Sequence, residues 1–136
     1  MKVSVKQVKK EKPLILKHYV NWFEIPASNF DRAVAFYNTI YSITMETMEL
    51  NGFASAFFPA TKGIGGAVVH GEGCVPSMTG PLVYLNGGKD LSEVLSKIEG
   101  AGGRIVMPKT LINEAAGYFA LFVDTEGNRL ALHSKF

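Results

Sequence analysis

The stretch Gly117-Tyr118-Phe119-Ala120-Leu121-Phe122-Val123-Asp124-Thr125-Glu126-Gly127-Asn128-Arg129-Leu130-Ala131-Leu132-His133 decides how the chain is to be read. Two apolar runs flank a polar turn, Asp124–Asn128, rich in residues that accept turn conformations closed to most side chains. The pattern is a hairpin, with strands expected over Tyr118–Val123 and Arg129–His133. Upstream, Arg104–Met107 and Leu82–Leu85 read as two further strands. Between those two, Asp90-x-x-Glu93 has capping-box spacing and opens a helix with Leu91, Val94, Leu95 and Ile98 on one face. Gly100, Gly102 and Gly103 end it, as residues able to adopt left-handed backbone should.

The same order stands earlier in the chain. Asn21–Ile25 reads as a strand closed by Pro26. Ser28 or Asn29 caps a helix whose apolar positions Phe30, Ala33, Val34 and Tyr37 follow the i, i+3, i+4, i+7 spacing. Three β-rich stretches come next, at Tyr41–Glu49, Phe53–Phe58 and Gly65–His70. Asn51-Gly52 marks a two-residue hairpin turn, because type I′ geometry needs positive φ at both positions. Gly71–Pro81 is a linker. Strand–helix–strand–strand–strand is thus written twice, and Thr61-Lys62-Gly63 with Ala67 matches Thr125-Glu126-Gly127 with Ala131 at an offset of 64. The expected fold class is α+β, built from two βαβββ modules at about 20–72 and 80–134. Both fall within a single domain over 14–136, behind a Lys-rich arm at 1–13. Leu14–Val20 is apolar and β-prone.

A chain of 136 residues with 47% hydrophobic and 19% charged residues can build one core without covalent staples. Cys74, the single cysteine, has no partner for an internal disulfide and reads as a passive thiol. No apolar run approaches the roughly 18 residues of a membrane span, and no apolar segment of signal-peptide type follows the lysines. A cytoplasmic location and no membrane partner are expected. Five lysines lie in the first twelve residues, whereas from Pro13 onward nine basic residues face eleven acidic ones, a balance of −2. The body offers no basic face, so no nucleic-acid partner is expected. Gly63, Gly65 and Gly66 lack phosphate-loop spacing and read as a turn and a tight strand start.

Three of these segments resemble the vicinal oxygen chelate superfamily, which includes glyoxalases, bleomycin-resistance proteins and extradiol dioxygenases. Phe30-Asp31-Arg32-Ala33-Val34-Ala35-Phe36-Tyr37 is similar to that family's first-module helix, and Gly117–Leu132 resembles its closing hairpin. Ile98-Glu99-Gly100-Ala101-Gly102-Gly103 resembles the end of its second helix. The resemblance implies two modules whose sheets form a U-shaped cleft, homodimer formation, and metal ligands in the first and last strand of each module. Carried over, those ligand positions are Trp22, Ala67, about Pro81, and Ala131. None offers a lone pair to a metal. No metal ligands and no cofactor are expected, and the missing carboxylate at Ala131 is the clearest departure.

Strand alternation puts Glu24 on the face of Trp22, and His133 on the face of Ala131. Glu24 and His133 are therefore the candidate proton carriers, or two ligands of a displaced metal site. Trp22, Glu24, Phe58, Tyr84 and Tyr118 are the candidate ligand-binding residues, able to line an apolar pocket for a flat molecule. Each aromatic has a blander reading as sheet core. Three functions follow: metal-free binding of a small organic molecule in the inter-module cleft; a lyase or isomerase related to lactoylglutathione lyase; and an interaction module docking through the Lys-rich arm. This fold hosts many chemistries, so it does not choose among them.

Overall fold

The computed structural model describes residues 11–136. Along the chain come β1 (Trp22–Pro26), α1 (Phe30–Tyr41), β2 (Glu46–Leu50), β3 (Phe53–Phe57), β4 (Gly65–His70), β5 (Tyr84–Asn86), α2 (Ser92–Ile98), β6 (Arg104–Asn113), β7 (Gly117–Val123) and β8 (Arg129–Ser134). They form two four-stranded mixed sheets, ordered β1-β4-β3-β2 and β5-β8-β7-β6. In each sheet the first strand of a module runs parallel to its last, and the other pairs are antiparallel. Parallel pairing demands a long crossover, and the helix with two intervening strands supplies it. This is the α+β architecture of two βαβββ modules expected from the sequence. Of the Lys-rich arm, residues 1–10 lie outside the described residues.

Local chemistry accounts for most element ends. Asn29 Oδ1 accepts from the Arg32 N–H at 3.1 Å and caps α1. Asn51 and Gly52 have φ of 52° and 83°, as a type I′ turn requires. Five expectations need correction. The Asp90/Glu93 capping box does not form: Asp90 Oδ1 accepts from Ser92 N and from Lys109 Nζ, both at 2.9 Å, and α2 starts without a side-chain cap. Helix α1 continues to Tyr41, so β2 begins at Glu46, while β5 begins at Tyr84 rather than Leu82. β6 runs past Met107 to Asn113. Leu14–Val20 joins no strand and lies exposed, because no sheet edge of the chain pairs with it.

The two edge strands away from the junction of the sheets, β2 and β6, differ. Every residue of β2 is exposed and none is proline. β6 contains Pro108 and pairs with β7 through three register shifts.

Both helices and one face of each sheet share a single core. Phe36, Tyr37 and Ile40 of α1, Leu91 and Ile98 around α2, Ile25 and Val68 of the first sheet, and Phe122, Leu130 and Leu132 of the second are buried together. Burying each such side chain contributes about 1.5–3 kcal/mol. Phe36 meets Phe122 at 6.2 Å between ring centroids, so the first module's helix packs on the second module's sheet.

A polar clamp completes that junction. Asp124 is buried, and its carboxylate accepts from the backbone N–H of Glu126 and Asn128 at 2.9 Å, from Asn128 Nδ2 at 3.1 Å and from the Tyr37 hydroxyl at 2.6 Å. Burial first, then the neighbouring Asp124 charge, pushes the Tyr37 phenol well above its ordinary value, so it stays a donor. Asn128 Nδ2 also donates to Pro26 O at 2.7 Å. The Glu126 side chain is fully buried, accepting from the Asn29 N–H and the Arg32 Nε, each at 2.7 Å. Burial alone would raise the Glu126 carboxyl, but the hydrogen bonds from Arg32, Asn29 and Thr125 outweigh it and hold it below 4.5.

Two outcomes test the clamp. Tyr37→Phe removes one donor from a buried carboxylate and should cost about 1–2 kcal/mol in urea unfolding with an unchanged slope. Because the folded-state pKa of Glu126 is lowered, its contribution is complete above the unfolded value and is lost as pH falls through the folded one. Stability should therefore decline below about pH 4.5, and Glu126→Gln should show a shallower acid limb in urea midpoints measured from about pH 6 to pH 3.

Candidate functional site

β1 sorts its side chains onto two faces. Phe23 and Ile25 turn toward the helices and core, whereas Trp22 and Glu24 occupy the opposite face, both exposed. Two glycines of β4 permit this. The Trp22 ring lies over Gly65, where an added Cβ would stand 3.1 Å from it. The Phe23 ring lies over Gly66 so closely that any Cβ there would overlap it. Trp22 also packs on Phe57 at 6.2 Å, and its Nε1 donates to Glu24 Oε2 at 3.3 Å.

The strand register revises the ligand positions carried over from the family. Ala67 pairs with Glu24, not Trp22, and Ala131 pairs with Tyr84, not Pro81, which precedes β5. One carboxylate therefore stands at these four positions. The three histidines do not converge on it: each ring makes its hydrogen bond to a different backbone carbonyl, His18 to Val20, His70 to Ala27 and His133 to Ala116. Among the described residues no three of His, Cys, Asp and Glu come together. A resident divalent ion takes three or four protein donors. These residues do not fit one.

Two cavities open where β1 meets the second module. The larger, about 870 Å³, is lined by Phe23, Tyr41, Ile43, Phe58, Val83 and Tyr84, among others. Phe23, Tyr41, Ile43, Phe58 and Val83 pack directly on the core, so this space lies on the helix side of the first sheet. Its described lining contains no Asp, Glu, Lys, Arg or His. The Tyr41 hydroxyl donates to Asn86 O at 2.8 Å across the seam, and burial pushes its phenol up, keeping it neutral. The smaller cavity, about 260 Å³, is lined by Glu24, Ser77, Thr79, Asn128 and Arg129 with apolar neighbours.

The sequence-derived candidates are thus distributed rather than gathered. Phe58 and Tyr84 line the larger cavity, and Glu24 the smaller. Trp22 lines neither. Tyr118 faces the core side, with Lys109 Nζ 4.5 Å from its ring centroid. His133 lies on the Tyr84 side of the second sheet, its Nε2 2.6 Å from Ala116 O. Arg129 was not singled out from the sequence, although it stands two residues before Ala131 in the same strand and so shares its face.

No family sequence model matches the chain, and no curated protein matches it in sequence. Solved structures do match its fold. An E144Q mutant of glyoxalase I from Zea mays aligns with a TM-score of 0.65 at 15% identity, over 83% of this chain and 44% of that one. This chain therefore spans less than half of the maize protein. A glyoxalase/bleomycin resistance protein/dioxygenase family enzyme from Burkholderia phytofirmans PsJN aligns at 0.62 with 11% identity, over 85% and 98% of the two chains. A glyoxalase/bleomycin resistance protein from Albidiferax ferrireducens T118 gives 0.61, 9%, 85% and 97%. The chain has the fold of the vicinal oxygen chelate superfamily. Among the described residues no helix is long and apolar enough to cross a membrane.

The donor count makes a direct prediction. Protein purified without a histidine tag should carry far less than one equivalent of zinc, nickel, manganese or iron by elemental analysis. Chelator treatment should leave its melting temperature unchanged.

Proposed function

We propose that the protein is a metal-free small-molecule-binding protein of the glyoxalase/bleomycin-resistance type, holding its ligand between the two modules. The observation that carries this reading is the cavity of about 870 Å³, aromatic and aliphatic in lining and contributed by both modules. Its size falls within the roughly 300–1,000 Å³ of ordinary ligand sites. With no charged side chain in the described lining, it suits an uncharged apolar molecule and disfavours an anionic conjugate, whose desolvation nothing there would offset. The ligand would be anchored by ring contacts to Phe23 and Phe58 and by hydrogen bonds at Asn86. The protein acts in the cytoplasm as a homodimer, the assembly the superfamily resemblance implies.

A second reading is a lyase or isomerase in which Glu24 carries a proton. Its support is the position of Glu24: beside Ala67 on the face where relatives hold ligands, in the same cavity as Arg129. An arginine can stabilise a developing oxyanion without a metal. His133 is the weaker proton carrier, since its Nε2 is already engaged by Ala116 O.

A neutral fluorescent probe such as N-phenyl-1-naphthylamine tests the binding reading. It should bind with blue-shifted emission and raise the melting temperature. Ile64→Trp, which fills the larger cavity from a part-exposed position, should weaken binding at least about tenfold without lowering the melting temperature. Unchanged probe affinity in that variant sinks the reading. Proton exchange into hydroxyketones that is lost in Glu24→Gln would replace it with the second.

A further inference from the structure

We propose that β2 is a docking edge for residues Lys12–Lys17 of a second copy of this chain, and that two copies exchange these segments. The exchange rests on the homodimer reading above, for which it supplies an interface, and is independent of what the apolar cavity holds.

Both halves of the contact stand without a partner in one copy. β2 ends its sheet and pairs only with β3, so the backbone N–H and C=O groups along its outer side are open to an added strand. Every residue of β2 is exposed, and Met48 and Leu50, which share one face, are 54% and 63% exposed. The segment before β1 is the complement. Leu14, Ile15 and Leu16 are 77%, 81% and 45% exposed, and apolar side chains left in water gain from any surface that covers them. Among the described residues, Lys12–Lys17 is held only by local hydrogen bonds. The Ile15 N–H donates to Pro13 O and the Tyr19 hydroxyl to Leu14 O, both at 3.1 Å.

Charge decides which strand this edge accepts. β2 carries Glu46 and Glu49, on opposite faces, and no cation. The segment carries Lys12 and Lys17 on either side of Leu14-Ile15-Leu16, at positions that alternation also puts on opposite faces. Antiparallel pairing is the more stable kind. Laid that way with Lys17 opposite Glu46, the segment puts Ile15 opposite Met48 and Pro13 opposite Leu50. On the other face Leu16 stands opposite Thr47, and Lys12 falls diagonal to Glu49. Opposed and diagonal pairs of opposite charge both favour such a ladder. Pro13, which has no N–H to offer, comes at the end of the paired run, where proline is tolerated.

The segment cannot reach its own β2. Register aligns Glu24, Ala67, Phe57 and Glu46 in one row across the sheet, and Trp22 stands two residues short of that row. A strand added outside β2 lies four strand spacings from β1, about 19 Å. The chain from Lys17 to Trp22 spans at most about 18 Å when fully extended, and part of that reach is used along the strands. The donor is therefore another molecule. Mutual exchange covers both edges and closes the assembly at two copies.

Sedimentation of the whole protein at low salt tests the exchange with two variants whose changes lie wholly on exposed side chains. One carries Lys12→Glu with Lys17→Glu in the segment; the other carries Glu46→Lys with Glu49→Lys on the edge. The wild type should be a dimer, and each variant alone should dissociate at least about tenfold more readily, because like charges then meet. An equimolar mixture of the two variants should restore the association as a heterodimer, since each segment then meets an edge of opposite sign. Damage to the fold would not be rescued by mixing. A dimer that persists in both variants overturns this interface and leaves the homodimer itself standing. A wild type that is monomeric at about 100 µM overturns both. A mixture that stays monomeric overturns the exchange.

Discussion

The buried carboxylate of Asp124 is the constraint on which this molecule is organised. Four hydrogen bonds converge on it, three from its own turn and one from Tyr37 on the helix of the other module. A charge taken out of water survives only if its acceptor capacity is met, so each donor becomes obligatory once the site is closed. Tyr37 must then lie against the turn, and Phe36 of α1, whose ring packs edge-on with Tyr37, must lie against Phe122. Asn128 carries the constraint onward to Pro26, and Glu126 to Asn29 and Arg32. One turn of five residues thus sets the position of the first strand, its helix and the linker between modules.

The clamp also explains where the cavities are. The two sheets are separate hydrogen-bonded units, and β1 and β5 do not pair. The junction is held at one end by the Asp124 turn against Pro26 and at the other by the Tyr41 hydroxyl against Asn86 O. Between these anchors two strand edges face each other without a ladder, and the glycines of β4 draw the rings of Trp22 and Phe23 down onto their own sheet rather than across the gap. The apolar space and the polar space both flank this unpaired seam. Their different characters follow from alternation along β1, since Phe23 faces one side and Glu24 the other.

The fold was legible because its punctuation is strong. Asn51-Gly52, Asn29 before Phe30 and the Asp124–Asn128 turn each admit few conformations, and the repeat made the two modules read each other. What failed was local chemistry with a distant competitor. Asp90 has the spacing of a capping box, but Lys109, nineteen residues away in sequence, takes the same carboxylate oxygen along with Ser92. Leu14–Val20 has strand propensity but no partner, and propensity alone does not make a ladder. The site was less legible for a related reason. Trp22 and Pro81 were matched to ligand positions by sequence spacing, whereas cross-strand register, a property of pairs of segments, assigns Glu24 and Tyr84 beside the two alanines. Arg129 was readable from alternation with Ala131, but the cavity it shares with Glu24 depends on how the modules meet. Tyr118 looked like a pocket aromatic until the register with Ser134 turned it inward.

The unequal outer strands bear on colony behaviour among many copies. An open strand edge is a template for runaway polymerisation, and beyond the two that meet at the seam, β1 and β5, this fold has two more, β2 and β6. β6 is disarmed by covalent means: Pro108 removes a donor, and three slips of register leave no straight ladder to extend. β2 is straight and proline-free, so its defence is electrostatic. Glu46 and Glu49 lie along it with no cation on the strand, and a second β2 laid against the first would bring carboxylates together. The two edges thus resist fibre growth by different physics, one independent of solution conditions and the other weakened by acid and by salt.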